Sequence, residues 1–280
     1  MPNKVIPPRK IFRRVEKTWD EFWAEFWRIR LVSGDESVTW KNQQVVAFCN
    51  ELLKLKPGMT MLDLGCGAGF QAHMFAEQGI KVHGIDISPP LVNHANTLAK
   101  KQGLSATFEV GDMRDFKVKE PYDRVVVLGM SFGFGTDEEN IACLKNIYKA
   151  VKPGGKVLIT GQHSYSATSQ TGPEWVETAE GFLVHHGEFD PITSRLGGMW
   201  ELVCPDGTII TEGDNPESDG IRCYGVPEMT NMLREHGFTH PSYFGTWMLP
   251  PAELQWFSME MITVTGRPAE AKSVKRSKKA

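Results

Sequence analysis

Apolar and polar positions along this chain follow two periods, and the changes between them mark out its parts. Over residues 15–31, Trp19, Trp23 and Trp27 recur at i, i+4 and i+8, with Phe22 and Phe26 beside them. That spacing predicts a helix with one aromatic stripe and with Glu16, Lys17, Asp20, Glu21 and Arg28 on its other side. A second helix is expected at 41–55, where Val45, Val46, Phe48, Leu52 and Leu53 form the apolar side and Lys56-Pro57-Gly58 ends it. From Met59 onward strand-like and helix-like runs take turns. Strands are expected at 59–65, 81–87, 105–110, 123–129 and 156–161, and helices at 69–78, 89–101 and 137–151. The run DRVVVLG is apolar enough to be buried on both faces. Strands joined by helical crossovers imply a parallel sheet with helices on both sides, an α/β doubly wound fold.

The rhythm breaks between 164 and 223. Strands are expected there near 182–189, 193–204 and 208–212, with Pro205-Asp206-Gly207 as a tight turn between the last two. Alternation resumes with the helical run VPEMTNMLREHGF and closes with strand-like runs at 241–247 and 257–265. The expected organisation is an aromatic helical segment at 1–40, a core made of 41–163 and 224–267, an antiparallel β-rich insertion at 164–223, and a disordered basic tail at 268–280.

Composition narrows the function. The 280 residues are 41% hydrophobic and 23% charged, enough apolar material for a real core. Thirty-one Lys and Arg stand against 34 Asp and Glu, a formal charge of −3, so no basic field makes nucleic acid or an anionic membrane a default partner. The longest apolar stretch, 125–135, falls short of the roughly 20 residues of a membrane helix. The start, MPNKVIPPRK, has basic residues with no apolar run after them, which is not a secretory signal. The 5 cysteines are widely spaced and never form C-x-x-C, which argues against a disulfide framework or a metal site and fits reduced thiols in a cytoplasm.

Candidate chemistry concentrates in Leu62-Asp63-Leu64-Gly65-Cys66-Gly67-Ala68-Gly69-Phe70. Glycines at every second position after a strand let the backbone turn and let a ligand approach main-chain N–H groups. Two ligand classes fit a loop of this kind. A dinucleotide fingerprint, G-x-G-x-x-G/A, needs a small sixth residue, whereas this chain has Phe70 there and its third glycine one position early. Asp86, ending the second strand, can accept both hydroxyls of a ribose in either class.

With Asp86, Gly111-Asp112-Met113 after the third strand and Pro153-Gly154-Gly155 before the fifth, the G-x-G-x-G loop resembles that of class I S-adenosylmethionine-dependent methyltransferases. Arg222-Cys223-Tyr224-Gly225-Val226-Pro227-Glu228-Met229 is similar to a segment of their small-molecule members. The resemblance implies S-adenosyl-L-methionine as cofactor, S-adenosyl-L-homocysteine as product and a small-molecule methyl acceptor, an amine nitrogen foremost, with oxygen, sulfur and carbon as alternatives. It also implies a Rossmann-like seven-stranded sheet, mostly parallel with the last strand antiparallel, a β-rich cap over the acceptor pocket and an N-terminal helical lid. Asp63, Gly65, Cys66, Gly67, Gly69, Asp86, Ile87, Asp112, Met113, Leu128 and Gly129 would then line the cofactor. Asp112 would accept from the adenine amino group, Met113 would pack on the ring, and Leu128 or Gly129 would offer a carbonyl to the ammonium group. His163, beyond the fifth strand, is the candidate base. Trp23, Ser131, Phe132, His185, Arg195, Trp200 and Tyr224 are candidate acceptor contacts. His185 and His186 are adjacent on an expected strand, so only one can face a site. The aromatic first helix is also a surface suited to a homodimer. An NAD(P)-dependent oxidoreductase and a non-catalytic cofactor-binding partner subunit are the alternative readings.

Overall fold

A computed structural model describes residues 13–18, 21–22, 25–26, 29, 36–178, 180–212, 220–258 and 260–270, without the side chains of 36–39 and 212. Its centre is a sheet of seven strands: β2 (Thr60–Leu64), β3 (Lys81–Asp86), β4 (Ala106–Val110), β5 (Tyr122–Phe132), β6 (Val151–Gln162), β12 (Thr239–Phe244) and β13 (Glu260–Gly266). Their spatial order is β12-β13-β6-β5-β2-β3-β4. The five strands from β6 to β4 run parallel, and β13 is antiparallel to both its neighbours. The central strands are buried on both sides, which their unbroken apolar runs require.

Alternation then sorts the core into two halves. Met61, Val126, Leu128, Leu158, Ile262 and Val264 face helices α1 (Glu36–Leu53), α2 (Phe70–Glu77) and α3 (Pro89–Gln102), meeting Val46, Phe48, Ala72, Phe75, Val92 and Ala95. Leu62, Leu64, Val125, Val127 and Ile159 face α4 (Asp137–Ala150) and α6 (Val226–Glu235), meeting Leu144, Ile147, Met229 and Leu233. The short α5 (Ser164–Ala167) follows β6.

The insertion builds a second sheet from β7 (Gly172–Thr178), β8 (Gly181–Asp190), β9 (Arg195–Val203), β10 (Thr208–Glu212) and β11 (Ile221–Arg222), joined by β1 (Arg13–Lys17), in the order β1-β10-β9-β8-β7 with β11 on β9. The turn at 205–207 forms as expected, with Gly207 N–H donating to the Cys204 carbonyl at 3.0 Å. β7 had no signal: Pro173 and Gly172 mask an edge strand whose residues are largely exposed.

One expectation about the N-terminal segment needs correction. The helix expected from residue 15 does not start there. Arg13–Lys17 is a strand, β1, paired in parallel with β10. The open edge of β10 offers a ladder of backbone hydrogen bonds that outweighs local helical periodicity. Helical backbone is found at 21–22, 25–26 and 29, where Phe22, Phe26 and Ile29 pack on Leu183 and Leu202 of the second sheet. Arg13–Lys17 thus joins the insertion's sheet as a further strand. Trp19, Trp23, Trp27 and the tail beyond 270 lie outside the described residues.

Helix α4 starts with a reciprocal cap. Thr136 Oγ1 accepts from Glu139 N–H at 3.2 Å, and Glu139 Oε2 accepts from Thr136 N–H at 2.8 Å. Thr136→Ala is expected to lower unfolding free energy by about 1 kcal/mol, measured by urea denaturation.

Candidate active site

β2 ends at Leu64 and the chain enters three left-handed glycines, Gly65 (φ 70°), Gly67 (φ 53°) and Gly69 (φ 79°). Hydrogen bonds to β3 fix this turn. Gly65 and Cys66 N–H donate to the Ile85 carbonyl at 2.8 and 3.2 Å, and Gly67 N–H donates to Asp86 Oδ2 at 2.7 Å. The other Asp86 oxygen accepts from Ser88 N–H at 2.9 Å. Asp86 thus clamps the glycine loop to the end of its own strand.

The three glycines do different work. A Cβ on Gly69 would lie 2.9–3.0 Å from His73, Ala95 and Phe108, so Gly69 is needed for packing. One on Gly65 would lie 2.8 Å from Ser131. One on Gly67 would meet nothing within 4 Å, as would one on Gly129 (φ 67°), which follows Leu128 near the end of β5. Their backbones face open space at the carboxyl ends of β2 and β5, the side on which doubly wound sheets bind ligands.

Behind the loop is Asp63, 2% exposed, whose Oδ1 has no hydrogen-bond partner. Burial, and secondarily the charge of Asp86, push its carboxyl up to about 7. Cys66, also buried, has its thiol pushed up by burial and by the charges of Asp63 and Asp86. At the next strand end, Asp112 is gripped by Arg114, which donates from its backbone N–H at 2.7 Å and from Nε at 3.0 and 2.9 Å. Burial pushes the Asp112 carboxyl up, but those hydrogen bonds and the guanidinium charge outweigh it and hold it below its ordinary value. Arg114 also reaches Glu139 at 3.1 Å. Met113 is partly buried near Gly65, and Ile87 is exposed. The Leu128 carbonyl accepts from Ser131 Oγ at 2.9 Å.

Several candidate acceptor contacts have partners within the protein. Arg195 donates to the Gly220 and Gly135 carbonyls, both at 2.9 Å, tying two loops together. Phe132 is fully buried in the α4 half of the core, tilted against the buried Tyr224 at 5.7 Å. Their apolar bulk drew them inward, which spacing alone could not reveal. His163 is 1% exposed, its ring edge-on to Tyr165 at 5.1 Å and neither nitrogen hydrogen-bonded. Alternation along β6 turns it away from the Asp63 face, where Gln162 and its register partner Glu260 lie.

His185 and Trp200 are brought together. They are register partners on β8 and β9, stacked at 4.5 Å, with Phe26 edge-on to Trp200 at 5.1 Å. They share the inner face with Leu196, which packs with Phe189 beside Met130 of the core. His186 points the other way, 3.9 Å from Glu201. Burial holds the His185 imidazole below its usual pKa.

The sequence reading missed the loop between β12 and β13. Since β13 is antiparallel to β6, this loop overhangs the same sheet end as the glycine turn. It carries exposed Met248, Trp256 and Phe257, while Trp247 packs on Phe48 and donates to Glu260 at 2.5 Å. Its cluster of large apolar residues in a turn-rich stretch was the available signal.

Residues 61–155 match the model of a family described as a methyltransferase domain. Phosphoethanolamine N-methyltransferase 2 of Caenorhabditis elegans is 32% identical over 145 residues, 51% of this chain and 33% of that enzyme. The chain therefore spans a third of that relative's length. Among solved structures, the CcbJ methyltransferase from Streptomyces caelestis matches with a TM-score of 0.68 at 17% identity, covering 82% of this chain and 90% of that one. CalS10 from Micromonospora echinaspora, an amino pentose methyltransferase solved with S-adenosylmethionine, matches with a TM-score of 0.58 at 18% identity, covering 87% and 96%. Residues 61–155 thus match a methyltransferase-domain model, and the chain shares the fold of these solved methyltransferases.

The contrast between the glycines is testable. Gly67→Ala is expected to cost about 1–2 kcal/mol of backbone strain, and Gly69→Ala that plus about 1–3 kcal/mol of overpacking, so thermal melting should rank Gly69→Ala clearly lower.

Proposed function

We propose that this protein transfers a methyl group from S-adenosyl-L-methionine to a small-molecule amine. The observation that carries this reading is Asp63, a buried carboxyl with an unpartnered oxygen behind an open glycine turn. A buried carboxylate without a counter-charge is costly, so a cationic ligand suits it better than a neutral one. The dinucleotide alternative would bring anionic phosphates to this place and needs a small residue where Phe70 stands. Bound here, S-adenosyl-L-methionine would supply an electrophilic methyl on a sulfonium, taken by in-line displacement.

The chain's own work is then positioning and exclusion of water. Asp86 and the glycine turn would hold the ribose, and Asp112, steadied by Arg114, the adenine amino group with Met113 against the ring. The inserted sheet serves as a cap whose inner face, with His185 on Trp200, walls the acceptor pocket. Phe22 and Phe26 close it from the N-terminal side, as a lid would. An amine must be neutral to attack. An imidazole held neutral by burial can take its proton at a free ring nitrogen, so His185 is a better base than the enclosed His163. The free cysteines suit a reducing cytoplasm.

Calorimetry with S-adenosylhomocysteine and with NAD, followed by turnover of an amine library with methyl-labelled cofactor, tests the assignment. Tight nicotinamide binding, or no transfer to any amine, would overturn it. Asp86→Ala is expected to lose measurable cofactor binding while remaining folded by circular dichroism. His185→Ala should lower kcat for an amine acceptor about 10²–10⁴-fold and leave cofactor affinity unchanged in calorimetry.

A further inference from the structure

The surroundings of Asp63 reach beyond a site for a cation. It is the penultimate residue of β2, on the α1 face of the sheet, with Val126 as its register partner on β5 and Gly84 on β3. The neighbours that titrate are Asp86 at the end of β3, Cys49 on α1 and Cys66 in the glycine turn. Asp86 acts on Asp63 through its charge, and both thiols feel the charge of Asp63. β5 presents only the apolar Val126 and Leu128 to this region. No lysine, arginine or histidine among the described residues acts on Asp63. Asp86 cannot relieve the repulsion by turning away, because both its oxygens hold amide N–H groups of the binding loop.

Two carboxyls thus lie close together, one anchored as a hydrogen-bond acceptor and the other buried without a partner for Oδ1. We propose that Asp63 carries a proton in the ligand-free protein and releases it to solvent when a cationic cofactor enters, so that cofactor capture is coupled to proton release. The inference rests on the methyl-transfer reading and adds a regulation to it. The sign follows from linkage. Below pH 7 the ligand-free carboxyl is protonated, since burial and Asp86 raise it to about 7. A cation beside it favours the charged form. Binding must therefore displace the proton, and affinity falls about tenfold per pH unit below about 7. Above that pH this dependence vanishes.

The test is calorimetry of the full chain with S-adenosylhomocysteine at pH 6, in two buffers of different ionisation enthalpy. At that pH the ligand's α-amino group, an amino-acid amine that titrates well above neutrality, is already protonated and contributes nothing. The wild-type protein is expected to release close to one proton per ligand bound. 5′-Methylthioadenosine, a thioether nucleoside with neither ammonium nor sulfonium, should bind with no proton released. Asp63→Asn, which keeps the side-chain volume, should bind S-adenosylhomocysteine without proton release. The two wild-type measurements decide the matter even if that variant fails to fold. Binding of S-adenosylhomocysteine with no proton released overturns the coupling and leaves the methyl-transfer reading standing. Absence of binding between pH 6 and 8 overturns both.

Discussion

The tie between the glycine turn and the end of β3 is the constraint on which the site depends. Ile85 accepts two amide N–H groups of the turn through its carbonyl, and Asp86 accepts a third through its carboxylate. Those bonds demand positive φ at Gly65, Gly67 and Gly69, a region that side chains other than glycine enter at a cost of about 1–2 kcal/mol each. The turn can be this tight only because β2 and β3 are adjacent parallel strands in register, Leu64 opposite Ile85. The same adjacency brings Asp63 and Asp86 near each other, so the geometry that opens the backbone to a ligand also concentrates negative charge behind it.

Among the described residues that acidic character meets no cation at Asp63. Other carboxylates do find one: Asp112 meets Arg114, Asp123 meets Lys152 at 2.8 Å, and Glu201 meets Arg14 at 2.7 Å. Asp63 is more buried than Glu201 and has an unpartnered oxygen. A buried carboxyl without a partner is stability given up, and such groups gather at ligand sites.

Much of the core could be read from the chain. The central helices and strands fall within a few residues of their expected bounds, because strong two-fold and 3.6-fold periods coincide there with glycine, proline and capping signals. The glycine turn and its acidic companions are just as legible, since each is local to a strand end. Legibility fails where a residue's role depends on distant partners. Arg195 reads as a candidate acceptor contact, and its hydrogen bonds to two loop carbonyls come from residues far along the chain. Phe132 and Tyr224 read the same way, and their burial against α4 and α6 is invisible in the spacing. Arg13–Lys17 reads as helix and becomes a strand because β10 has a vacant edge.

Local sequence, then, determined the order of strands and helices, the cofactor-side turn and the chemistry its side chains can perform, because each of these follows from neighbours a few positions apart. Tertiary structure alone decided which face His185 takes, that His163 is enclosed, that the β12–β13 loop overhangs the sheet end of the glycine turn, and that no cation among the described residues meets Asp63. Those facts are set by register between strands far apart in the chain and by which side chains the core has room to hold.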